Sequence, residues 1–231
     1  MKIRRSGERG QFDFGWLDTR HTFSFGQYHD PEYMGYRSLR VINEDRIAPG
    51  TGFPSHPHRE MEIITIVLSG SIEHTDSLGS SGVLEPGEIQ VMSAGRGIVH
   101  SEANPSVTES LHLYQIWITP GEHGVESRYQ QRPFSAEERQ GRWQTVVSPD
   151  GRDNSIFIHQ DAHLLLCDLD SDQTVLHLIE PGRGAWLQVM EGEVEIADEN
   201  LYPGDGVAID EPGELSVSAA KNSRLMLFDL A

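Results

Sequence analysis

The sequence predicts an all-β chain in which one barrel- or sandwich-like unit occurs twice. Three observations predict it. Short segments rich in Val, Ile, Leu and aromatics recur along the 231 residues, many alternating apolar with polar, as half-buried antiparallel strands do. They are separated by Gly, Pro and acidic turn residues, and no segment sustains a long helical period. The two halves also echo each other, "VLSG" then "LEPGE" in the first and "VMEG" then "LYPGD" in the second, the mark of an internal duplication.

Taken in order, the opening "MKIRRSGERGQFDFGW" has basic residues but no apolar core of signal-peptide length behind them, so a cytoplasmic protein is expected. "EIITIVLSGSIEH" reads as two strands around a glycine turn. Its apolar run is far too short to cross a bilayer, so no membrane partner is expected. "EIQVMSA" and "LHLYQIWI" follow the "SLGSSG" and "EPGE" turns. The polar span Thr119–Trp143 lacks strand alternation and reads as a linker with one short helix in "SAEERQ", capped by Ser135. The second half continues with "SIFIHQ", "TVLHLIE", "AWLQVMEGEVEIA", "GVAID", "ELSVSA" and "SRLMLFDL".

Composition narrows the function classes. Lys and Arg total 18 against 36 Asp and Glu, a formal charge of -18. Such a surface repels phosphate backbones, so no direct nucleic-acid contact is expected. Cys167 is the single cysteine, which excludes an intrachain disulfide and suits a reducing compartment.

Of eleven histidines, His21, His29, His123, His159, His163 and His177 have no partner at ligand spacing. They are expected to be surface or hydrogen-bonded core residues. His56 and His58 differ, because residues i and i+2 of a strand share a face and both imidazoles can meet one ion. Pro57 between them stiffens the segment and suits an edge strand. His100 and Glu102 repeat the spacing in "PGEIQVMSAGRGIVHSEAN". Three nitrogens and one oxygen suit Fe(II), Mn, Ni, Cu or Zn. Four protein ligands around an octahedral ion leave two positions for water, substrate or dioxygen. Gly95 and Gly97 are expected to form the turn that delivers His100. "GRGIVH" lacks the third glycine and following helix of a dinucleotide motif.

"GFPSHPHREME" and "PGEIQVMSAGRGIVHSEAN" resemble the two cupin motifs, with Ala94 where a proline is usual. "HTFSFGQYHDPEYMGYRSLRVINEDRIAPGTGFPSHPHREMEIITIVLSG", "LHLYQIWITP" and "VVSPDGRDNSIFIHQDA" resemble the pirin family over nearly the whole chain. The resemblance implies a bicupin, two face-to-face antiparallel jelly-roll-like β-barrels. The expected division is 1–120 with the metal site, a linker 121–143, and 144–231 without metal, because Trp186 and Gln188 stand where a His-x-His pair would fall. It implies one divalent metal held by His56, His58, His100 and Glu102, iron foremost, with Mn, Ni, Co, Cu or Zn as alternatives.

In metal-binding cupins generally the fourth ligand would be Glu62; the i, i+2 pairing with His100 favours Glu102, leaving Glu62 and Glu60 as outer or surface acids. His74 and His112 are expected to be ordinary barrel residues. The activity implied is that of a quercetin 2,3-dioxygenase, which opens the central ring of a flavonol with dioxygen and releases carbon monoxide. Glu102, once its bond to the metal loosens, would accept the substrate's hydroxyl proton, and Phe53, Met92 and Ile98 are candidates for the cavity wall. The other implied role is a metal- or redox-dependent regulator that binds a transcription factor or a metabolic enzyme.

Overall fold

The computed structural model describes residues 1–231. The N-terminal half begins with β1 (Lys2–Arg4), β2 (Gly10–Asp13), β3 (Leu17–His21) and β4 (Leu39–Ile47). It continues with β5 (Gly52–His58), β6 (Glu62–Ser69), β7 (Ile72–Asp76) and β8 (Ser81–Leu84). Next come β9 (Glu88–Ser93), β10 (Ile98–Ala103), β11 (Leu111–Ile118) and β12 (Arg128–Pro133). A short helix, α1 (Ala136–Arg139), is capped by Ser135, whose Oγ accepts from the Glu137 amide at 3.2 Å. Beyond it lie β13 (Gln144–Ser148), β14 (Ile156–Phe157), β15 (Ala162–Leu169), β16 (Thr174–Ile179) and β17 (Gly184–Glu191). The chain ends with β18 (Val194–Ile196), β19 (Glu199–Leu201), β20 (Gly206–Ile209), β21 (Gly213–Ala219) and β22 (Ser223–Leu230). No helix is long and apolar enough to cross a membrane.

The duplication is visible in the sheet orders. A seven-stranded sheet, β12-β9-β6-β11-β4-β3-β2, accompanies a four-stranded one, β5-β10-β7-β8. The second half repeats the plan with β1-β20-β17-β22-β15-β13-β14 and β16-β21-β18-β19. The cores β9-β6-β11-β4 and β20-β17-β22-β15 correspond strand for strand. The sheets stay open rather than closing into barrels, so each half is a jelly-roll sandwich and the whole is a bicupin.

Alternation along the strands sets what lies between the sheets. In the second half Ala185, Leu187 and Val189 of β17 face Val175 and Ile179 of β16 and Leu215 and Val217 of β21, in a core of 18 buried residues. The opposite faces of the two large sheets meet in a larger core of 24 residues, which joins the halves. Phe23, Ile64 and Ile116 come to it from one side, and Leu164, Trp186 and Phe228 from the other.

Two expectations are corrected here. The span read as a strandless linker contains β12, which pairs with β9 from Arg128 opposite Ser93 to Pro133 opposite Glu88. It is an edge strand whose polar side chains are satisfied locally, as when Gln131 donates to the Val83 carbonyl at 2.9 Å and to Glu88 at 3.0 Å; an apolar face is therefore absent. Trp186 and Gln188 do not occupy the metal position of the second half. They lie on β17, and Trp186 points into the core between the halves. The strand that corresponds to β5 is β16, where His177 is the single histidine and is engaged by Asp229 at 2.9 Å.

Candidate metal centre

β5 is an edge of its sheet, so Pro57 removes no ladder hydrogen bond on the open side. Its neighbour β10 places His100 opposite His56 and Ile98 opposite His58. The register then shifts between His100 and Glu102, a bulge that sets Glu102 opposite Phe53. Gly95 and Gly97, with φ of 42° and 140°, form the turn before β10. A Cβ on Gly95 would lie 2.3 Å from the Val125 carbonyl oxygen, so that position requires glycine.

The three imidazoles converge. Ligand atoms of His56, His58 and His100 all lie within 4.8 Å of one another, and His100 Nε2 is 3.0 Å from His56 Nε2. Two nitrogens each about 2.1 Å from one ion, at right angles, are about 3.0 Å apart. The second nitrogen of His56, Nδ1, is 2.8 Å from the Pro54 carbonyl and donates to it, leaving Nε2 free as a ligand. Burial, then repulsion from His56, lowers His58 to about 4. Burial and the neighbouring histidines lower His100 to about 3. His58 and His100 are therefore neutral near pH 7, with lone pairs available. A donor set of neutral imidazoles with a nearby carboxylate fits a divalent transition ion.

Glu102 is fully enclosed, and its Oε2 accepts from Gln115 Nε2 at 2.8 Å while Oε1 accepts from Gln90 Nε2 at 3.4 Å. Desolvation raises its carboxyl above the ordinary range. Glu102 groups with His74 and His100 within 4.8 Å, so His100 is common to two overlapping clusters. His74, expected to be an ordinary barrel residue, is buried beside the centre. Its Nδ1 is 3.4 Å from His100 Nδ1 and its Nε2 is 3.0 Å from Asp76 Oδ2.

The other candidates fall outside. Glu62 accepts from Ser93 Oγ at 2.6 Å and has His159 and Arg128 as neighbours. Glu60 is bound to His123 and the Gly124 amide on a surface loop. His112 is engaged by Glu44 at 3.0 Å.

A cavity of about 380 Å³ opens beside the cluster, within the usual range for small-molecule sites. His56, His58 and Glu102 line one side, and Phe25, Phe53 and Trp117 supply aromatic walls. Phe53 was expected there. Met92 and Ile98 are not on the wall; they pack with Ile63 and Ala94 in a small separate core. His21, grouped above with the isolated histidines, also lines the cavity, and desolvation lowers it to about 4.

Sequence reasoning missed a polar row. His21, Asn43, Gln115, Thr65, Gln90 and Gln131 are successive cross-strand neighbours across six strands, and the first three line the cavity. The signal was a lone polar residue at inward phase inside apolar strands, as in "LYQIW" and "EIQVM".

Comparison with known proteins bears on this geometry. A family model described as pirin matches residues 2–118, and one described as the quercetinase C-terminal cupin domain matches residues 145–230. Quercetin 2,3-dioxygenase of Escherichia coli (strain K12) is 50% identical over 228 residues, covering 99% of this chain and 97% of that protein. A pirin-like protein of Caulobacter vibrioides is 39% identical over 223 residues, 96% of each. Among solved structures, the bacterial pirin YhhW from Escherichia coli in complex with nickel(II) superposes with a TM-score of 0.95 at 49% identity. That alignment covers 99% of this chain and 98% of that one.

Proposed function

Since the chain belongs to the pirin family, we propose that it is a metal-dependent dioxygenase that opens the central ring of a flavonol such as quercetin, converting one flavonol and one O2 into the ring-opened ester and one carbon monoxide. The observation that carries this reading is the convergence of His56, His58 and His100 at an aromatic-walled cavity with a buried carboxylate beside them. His56, His58, His100 and Glu102 would hold one divalent ion, Fe(II) in our reading; Mn, Ni, Co, Cu and Zn suit the same donors. The nickel complex of the YhhW relative supports a divalent-metal site in this fold. When bound, the ion supplies Lewis-acid polarisation of a substrate oxygen.

The chain's own residues supply the rest. Phe25, Phe53 and Trp117 flank a flat aromatic ring and exclude water from it. Glu102 accepts the hydroxyl proton of the substrate, while Gln90 and Gln115 hold its carboxylate in place. The second half is a structural unit in this reading, since the inward faces of β16 and β21 are largely aliphatic.

The test is anaerobic loading with Fe(II), then a flavonol and oxygen, with carbon monoxide measured. One carbon monoxide per flavonol consumed is expected. No turnover across several flavonols and several metals would overturn the reading and favour a metal-dependent protein-binding role.

A further inference from the structure

Across the cavity from the histidine cluster, β3 and β4 present a second polar group that the chemistry above does not use. Thr19 and His21 of β3 pair with Asp45 and Asn43 of β4, and all four line the cavity. Asn43 and Asp45 are i and i+2 on one strand, so both point the same way. They are 4% and 3% exposed, yet Asn43 Oδ1 and Asp45 Oδ1 have no hydrogen-bond partner within bonding distance, and neither has the hydroxyl of Thr19 opposite Asp45. Buried acceptors without donors are costly, and most native ones are satisfied. Two such atoms side by side at a cavity wall are complementary to a ligand that brings O–H donors.

The walls say what kind of ligand. Phe25 stands edge-on to both His21 and Trp117, with ring centroids 5.2 Å from each, and Phe53 lines the cavity 6.4 Å from His56. The space between is bounded by aromatic rings and suits a planar ring. We propose that Asn43 and Asp45 form a second anchoring subsite, which accepts hydrogen bonds from hydroxyl groups on the outer ring of a polyhydroxylated aromatic ligand. The subsite rests on the flavonol reading for the ligand's identity.

Three flavonols that differ only in the outer ring test it: one with two adjacent hydroxyls, one with a single hydroxyl, one with none. Each is titrated into nickel(II)-loaded protein, with binding followed by quenching of tryptophan fluorescence. Wild type should bind the dihydroxylated compound about 10- to 100-fold more tightly than the unhydroxylated one, the range for two hydrogen bonds. The Asn43→Ala/Asp45→Ala variant should lose that preference and bind the unhydroxylated compound as wild type does, with metal content unchanged. The near-isosteric Asp45→Asn guards against a folding defect and should reduce the preference too.

A preference that survives all these variants overturns the subsite. Equal weakening of all three ligands does so as well, because it signals structural damage. Wild type that binds none of the three compounds overturns both the subsite and the flavonol reading. Carbon monoxide separates the other cases. Preferential binding without its release overturns the dioxygenase reading and keeps the subsite, whereas turnover without preference does the reverse.

Discussion

The two acidic candidates for a fourth ligand, Glu62 and Glu102, differ by what their carboxylates touch. Glu102 is held by Gln90 and Gln115 next to His74 and His100, whereas Glu62 is spent on Ser93. Glu102→Gln should therefore lower flavonol turnover at least about 100-fold, and Glu62→Gln by less than about threefold. Steady-state rates on metal-loaded protein check this, and the reverse order would move the fourth ligand to Glu62.

Asp45 gives a pH test. Burial holds its carboxyl up at about 7, against an ordinary 3.8. A raised carboxyl pKa means that the fold prefers the protonated form. Its contribution is whole below pH 3.8 and is lost as pH rises through 7. Asp45→Asn removes that loss, so the metal-free variant should gain stability over wild type between pH 4 and 8, by at most about 4 kcal/mol. Paired denaturant titrations across that range read the difference. A gap that is constant with pH would show that Asp45 is not held protonated.

At the scale of elements, the proposed ligands are carried by strands rather than by loops. β5 and β10 pair with each other, and β10 is further braced by β7 from His100 opposite Asp76 to Ala103 opposite Glu73. This frame does not depend on the imidazoles. His56→Ala or His100→Ala should thus reduce bound metal to well below one equivalent. The unfolding midpoint of the metal-free protein should move by only a few degrees. Elemental analysis and thermal melts decide it, and stoichiometric metal in either variant would refute the assignment. The same elements show the limits of pattern reading. The His-x-His and His-x-Glu pairs are legible because i and i+2 share a face in any strand. β12 was not legible, because a polar edge strand is satisfied by side-chain hydrogen bonds and carries no apolar face.

For the whole molecule, the two sandwiches share a core larger than either keeps to itself. Trp186 is a main link in it, packing on Phe23 at 4.8 Å and Tyr36 at 5.8 Å between centroids. Trp186→Ala should cost about 3–5 kcal/mol. Because the damaged core belongs to both halves, a single cooperative transition should shift as a unit. Two separated transitions in calorimetry would show that the halves unfold independently. Lys2–Arg4 adds a second tie, since this first strand of the chain pairs with β20 in the sheet of the last half.

The sequence by itself determined the all-β class, the duplication and the two same-face pairs His56–His58 and His100–Glu102, because strand periodicity, turn chemistry and i, i+2 spacing are local. Only the tertiary structure decided that His74 stands against His100, that His21 lines the cavity, and that Glu102 rather than Glu62 lies beside the histidines. It alone brought Asn43 and Asp45 to the opposite wall. Those facts depend on the register between strands far apart in the chain and on which faces of two sheets are turned toward each other, and no local pattern encodes either.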